Sequence, residues 1–311
     1  MKDTNISVSE FVLSCLKETD PKDGIGVVFL LIYLVTIFGN VTVILIVVMD
    51  QQLQRPMYMC IVILSVIDVT CSTTIIMKIL VALLFKNTVI PRNACYVQML
   101  MFFMHYMESL EIFLLTLMAF DRYVAVNYPL RYPSLITNKT ILVSIAFMNA
   151  LTVMLVSMGL SFVADFNFCT TNVLPYCFCD FTAMLRIACF KDDRYIILTS
   201  TLAAVFIVFT FVLIIFSYTK IIVAALKTAR TEGKRKALST CFTHLSIVGL
   251  FYIPLFFSYV IPARKQITNS SVTSSLIMVA TIIPPLLNPL IYSLRNKEIK
   301  QTLLILSSPI H

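Results

Sequence analysis

Four ionisable side chains interrupt stretches otherwise made of Ile, Leu, Val, Phe and Met: Asp68, Glu108, Glu111 and Arg122. Lys78 and His105 stand near the ends of the same stretches. Charge within a long apolar run is costly, so each such group is a candidate for function. On a helix, Glu111 and Arg122 share nearly one face and lie about 16 Å apart along the axis. Asp68 sits about as far into its own run as Glu111 does from Arg122, which brings the two carboxyls to a similar depth. Two acids at one depth would share a proton or hold a hydrated cation such as Na+; the alternative is that each is hydrogen-bonded separately to neighbouring helices. Asp121 precedes Arg122 and can neutralise it, and a pair locked in one state and released in another can act as a switch.

Other chemistries find little support. The three histidines, His105, His244 and His311, form no HExxH set, and no nucleophile–base constellation for an intramembrane enzyme is visible. The nine cysteines include no CxxC pair, so no metal site is expected. Cys60, Cys71 and Cys241 fall in apolar runs as small core residues, whereas Cys95, Cys169, Cys177, Cys179 and Cys189 lie in polar connections where disulfides can form.

The elements that must position these groups follow from composition. The 311 residues are 59% hydrophobic and only 13% charged. So little charge cannot cover a water-soluble particle, and the bilayer becomes the solvent. The formal charge of +8 then reflects inner loops that orient spans and meet anionic lipid, so nucleic acid is not implied.

A helical span needs ~20 mostly apolar residues. Such runs occupy 25–48, 57–84, 96–121, 141–164, 196–219, 239–262 and 272–294, which predicts an all-α membrane protein, a seven-transmembrane helical bundle. Residues 1–24 read as a polar, acidic tail with no signal-peptide core, 25–294 as the membrane domain, and 295–311 as an interfacial helix and tail. With the N-terminus outside, 13 basic residues fall on the inner side and 10 on the outer, and 227–236 is the densest inner stretch. The sequon Asn5-Ile6-Ser7 agrees with this orientation and predicts glycosylation at Asn5.

Longer motifs narrow the reading. They are Gly39-Asn40, Pro56-Met57-Tyr58, the segment from Met118 to Val126 around Asp121-Arg122-Tyr123, Lys236 to Leu245, and Pro285 to Asn296. In this order and spacing they resemble the odorant receptors among the rhodopsin-like G-protein-coupled receptors. Phe120 stands where Tyr is usual, and Val126-Asn127 where Ile-Cys is usual, which marks a divergent branch.

The resemblance implies a multi-pass plasma-membrane receptor that binds a small-molecule odorant among the outer helix halves. It would activate a stimulatory olfactory-type G protein and raise cyclic AMP. It casts Arg122 as the inner switch with Asp121 as its resting partner, Asn288, Pro289 and Tyr292 as a hinge in the seventh helix, and Tyr218 as an inward-turning group. Cys95–Cys179 and Cys169–Cys189 would be disulfides, leaving Cys177 over. Met104, His105, Glu108, Ser109, Ile112, Leu202, Phe206, Tyr252, Phe256, Tyr259, Met278 and Thr281 would line the pocket. In it Glu108 would favour a cationic or hydrogen-bond-donating ligand, unless it pairs with His105 or Lys78.

Two alternatives stand beside this one. A receptor of the same architecture could serve a non-odorant ligand outside the olfactory epithelium, which the site of expression would separate. A channel or transporter could also bury Asp68, Glu108 and Glu111, but the chain lacks the internal repeat of such folds.

Overall fold

The computed structural model describes residues 8–14, 22–102, 106–164, 168, 171–174, 178–179, 184, 187–189, 193–227, 241–242, 244–253, 255–256 and 270–307. The helices are α1 (Lys22–Met49), α2 (Pro56–Leu84), α3 (Arg92–Phe102), α4 (Tyr106–Asn127), α5 (Tyr132–Leu135), α6 (Asn138–Ala164), α7 (Asp193–Lys227), α8 (His244–Ile253), α9 (Ser270–Arg295) and α10 (Lys297–Ser307). α1, α2, α6 and α9 begin and end within three residues of the runs read from hydropathy. The third run falls on α3 and α4, and the sixth is described only in part, around α8.

α7 continues eight residues past the expected inner boundary, to Lys227. Hydropathy marks where lipid ends, whereas backbone hydrogen bonding continues a helix into water. Its 35 residues make ~52 Å at 1.5 Å each, well beyond a ~30 Å hydrocarbon core.

Three described helices are long and apolar enough to cross a membrane: Gly24–Met49, Pro56–Leu84 and Ala204–Lys227. Their outward faces are apolar; Val27, Leu31 and Phe38 on α1 and Val205, Val208 and Phe209 on α7 are all more than half exposed. Lipid can cover such faces and water cannot. α4 interrupts its apolar run with Glu108, Glu111, Asp121 and Arg122. α1 packs on α2 and α9, while α4 lies along α7 and also meets α2 and α6.

Local sequence sets several boundaries. Arg55 is extended (φ −107°, ψ 159°) before Pro56 at the first turn of α2, as a residue preceding proline must be. Beyond α2, Lys86 takes a left-handed φ of 54° and turns the chain toward a strand.

That strand belongs to a sheet absent from the all-helical expectation. β1 (Glu10–Leu13) lies between β2 (Val89–Pro91), antiparallel to it, and β3 (Val173–Leu174), parallel to it. The expectation of a polar N-terminal tail therefore needs correction at 8–14: Phe11 and Leu13 are buried, and Phe11 meets Phe168 edge-on at 5.1 Å. Four residues of alternating burial were too short to stand out beside the long helical runs.

Among the described residues two apolar cores result, named inner and outer after the orientation expected from the sequence. The inner core includes Val43, Leu64, Leu114, Met118, Ile214 and Tyr218. The outer core joins Phe11 and Leu13 to Ile76 and Ile79 of α2, to Phe168 and Phe178, and to Ile282 of α9.

Candidate functional site

Pro289 lacks an N–H, so the carbonyl of Pro285, four residues back, has no helical donor. The Asn40 side chain of α1 supplies one at 3.0 Å, and also donates to the Thr36 carbonyl at 3.0 Å. Gly39 allows this approach, because a Cβ there would stand 2.9 Å from Pro289 Cγ. The Gly39-Asn40 motif thus serves the break in α9.

One turn on, Asn288 Nδ2 donates to Asp68 Oδ2 at 3.0 Å. Asp68 is fully buried, and the side chain of Glu111 on α4 lies within interaction range of it. The structure therefore brings together Asp68, Glu111 and Asn288 from three helices. Ser72, which sequence reading missed, lies one turn along α2 from Asp68. Asp68 Oδ1, Asn288 Oδ1, Ser72 Oγ and the Tyr292 hydroxyl are buried without hydrogen-bond partners. Tyr292 also lies within electrostatic range of Asp68, Glu111, Tyr218 and Cys60.

Toward the inner side, Arg122 Nε stands 3.9 Å from Asp121 Oδ2, an ionic contact without a hydrogen bond. The hydrogen bond that Asp121 does accept comes from the Tyr132 hydroxyl of α5, at 2.9 Å. Burial, and then the neighbouring Asp121 carboxylate, hold the Tyr132 phenol well above the usual tyrosine range, which keeps it a donor. Tyr132 was not anticipated, although its place ten residues beyond Arg122 and before a Pro was the available signal. Tyr58, Tyr218, Cys241 and His244 also lie within electrostatic range of Arg122.

On the outer side Cys95 and Cys179 form a disulfide with Cα atoms 5.5 Å apart, as the resemblance implies. Gln98 accepts the Cys179 N–H at 3.2 Å. Cys189 is also disulfide-bonded, while Cys169 and Cys177 lie outside the described residues. Cys60 and Cys241 are free, buried thiols.

The expected pocket residues separate into groups. Ile112 and Tyr252 are buried; Ser109, Phe206, Met278 and Thr281 are half-buried. Leu202 and Phe256 are 55% and 56% exposed. Tyr252 donates to Thr210 Oγ1 at 2.9 Å and packs its ring on Phe211 at 5.3 Å, joining the sixth helix to α7. Lys78 donates to the Val89 carbonyl of β2 at 3.1 Å. Met104, His105, Tyr259, Asn5 and the side chain of Glu108 lie outside what is described.

Apolar outward faces around polar groups buried between helices define a helical membrane protein. The olfactory receptor family model matches residues 29–307. The chain is 37% identical to human olfactory receptor 8H1 over 96% of this chain and 95% of that protein. It is 36% identical to mouse olfactory receptor 5H19 over 95% of each, and 38% identical to rat olfactory receptor 1496 over 89% and 88%. The chain belongs to the olfactory receptor family. It is accordingly a multi-pass G-protein-coupled receptor of sensory transduction and not an enzyme.

Proposed function

We propose that this receptor crosses the plasma membrane seven times with its N-terminus outside. In this reading it binds a small-molecule odorant among the outer helix halves and promotes nucleotide exchange on a stimulatory olfactory-type G protein, raising cyclic AMP. The observation that carries the proposal is the break in α9. The Pro285 carbonyl is held by Asn40 rather than by its own helix, and Asn288 beside it is held by Asp68. A helix with one backbone carbonyl held by α1 and one side chain tied to α2 can take two settings at modest cost.

A ligand between the outer halves of α4, α7, the sixth helix and α9 would favour one setting, with Ser109, Ile112, Phe206, Met278 and Thr281 as its surroundings. Glu108 would orient a cationic or hydrogen-bond-donating group. The inner surface would present Arg122, the basic stretch 227–236 and Leu130, which is 97% exposed beside exposed Arg131. An apolar tip rimmed by basic residues suits a protein partner.

Sodium fits the buried acids. The donors are hard oxygens, and Asp68 Oδ1, Ser72 Oγ and Asn288 Oδ1 have no other partner. Asp68 and Glu111 would hold it, supplying the charge. Cys169–Cys189 as a second bridge and a glycan on Asn5 complete the proposal.

An odorant screen in cells reporting cyclic AMP tests it, with Arg122→Ala as control at matched surface density. The reading expects at least one odorant to give a saturable response that the control lacks. Responses that persist undiminished in Arg122→Ala, or ion flux through the purified chain without a G protein, would contradict it.

A further inference from the structure

α10 has 11 residues, and an isolated helix of that length is marginal in water. Its stability therefore depends on what it docks against. Asn296 caps it, with Oδ1 accepting the N–H of Glu298 at 3.0 Å and of Ile299 at 3.4 Å. Ile299 is fully buried in the inner core, and Thr302 donates to Asp50 Oδ2 at 2.7 Å. Leu304 and Ile305 are exposed on the outward side.

A further contact comes from the start of α2. Tyr58, its ring buried in the inner core, donates its hydroxyl to Glu298 Oε2 at 2.7 Å and reaches the capping Asn296 Oδ1 at 3.3 Å. Arg55 stands 3.9 Å from the same Glu298 oxygen, but both groups are well exposed and that pair contributes little. The short, charge-assisted bond from a fixed ring is the stronger tie. Tyr58 also lies within electrostatic range of Arg122. One phenol thus touches both the cap and the first acid of α10.

We propose that Tyr58 is a positioning residue that seats α10 on the inner end of α2, and that this seat restrains the inner end of α9, which runs into the cap at Asn296. The seating stands on geometry alone; its effect on signalling rests on the receptor reading above.

The test has two arms, so that the two failures are distinguishable. The first is hydrogen–deuterium exchange of the full-length receptor in lipid nanodiscs, without ligand or G protein. Tyr58→Phe keeps the ring and removes only the hydroxyl, so backbone amides of 297–307 should exchange about tenfold faster, the factor one such bond is worth. Thr42→Ala, which removes a hydroxyl bonded only within α1, should leave them unchanged. Unaltered exchange at 297–307 in Tyr58→Phe, or equal acceleration throughout the chain, overturns the seating. The second arm reads ligand-independent cyclic AMP at matched surface density. Tyr58→Phe should raise it by up to about tenfold, while Tyr33→Phe, whose hydroxyl meets Thr73 at 3.4 Å elsewhere, should not. Faster exchange with an unchanged basal signal keeps the seat and overturns the restraint.

Discussion

The Asn40 side chain satisfies the one α9 carbonyl that Pro289 leaves without a helical donor, donating to Pro285 O at 3.0 Å. Asn40→Ala would leave a buried carbonyl unsatisfied, which costs ~1–3 kcal/mol. The expected result is a lower midpoint for thermal unfolding of the purified receptor. Gly39→Ala should also lower it, because the new Cβ would stand 2.9 Å from a rigid proline ring. An unchanged midpoint in both variants would show that α9 does not lean on α1.

If Asp68 and Glu111 hold sodium, added NaCl should raise the unfolding midpoint above that in choline chloride at equal ionic strength. Asp68→Asn and Glu111→Gln should each remove most of that difference. A salt effect of equal size in all three proteins would place sodium elsewhere.

Tyr132 rather than Arg122 supplies the hydrogen bond to Asp121. Tyr132→Phe leaves the Asp121 carboxylate buried without a donor, a loss of ~1–3 kcal/mol. The connection between α4 and α6 should loosen, seen as faster hydrogen exchange at 128–136. Because the raised phenol stays protonated, exchange corrected for its intrinsic pH dependence should show no transition from Tyr132 between about pH 6 and 9.

The Cys95–Cys179 bridge spans 84 residues of sequence, and removing a bridge of this kind costs ~2–5 kcal/mol. Cys95→Ser and Cys179→Ser, singly and together, should reduce surface display to a similar extent. A double variant much worse than either single one would indicate that the two cysteines act separately.

Phe11 carries the outer core from within the N-terminal segment. Phe11→Ala should destabilise the fold by ~3–5 kcal/mol, lowering surface density and the thermal midpoint. Glu10→Gln, at an exposed position of the same strand, should be neutral.

The helices were legible because one physical demand, apolar length, writes a run of about twenty residues into the chain. Acids within those runs were conspicuous for the same reason. Short-range geometry was less visible. β1 has four residues, and its pairing partners lie far along the chain. Tyr58 and Tyr132 look like ordinary boundary aromatics until α10 and Asp121 are placed beside them. Tyr252 was legible as an aromatic on a helix face, while the bond of its hydroxyl to Thr210 was not. A helix face is legible from spacing, whereas the partner opposite it depends on how helices pack.

The most direct measurement is nucleotide exchange on a purified stimulatory G protein by the purified receptor in lipid nanodiscs, with and without an odorant found by the cellular screen. The account predicts faster exchange with odorant, and loss of that acceleration in Arg122→Ala at equal folded receptor. Odorant binding with no acceleration in the wild-type receptor, or acceleration equal in Arg122→Ala, would contradict it.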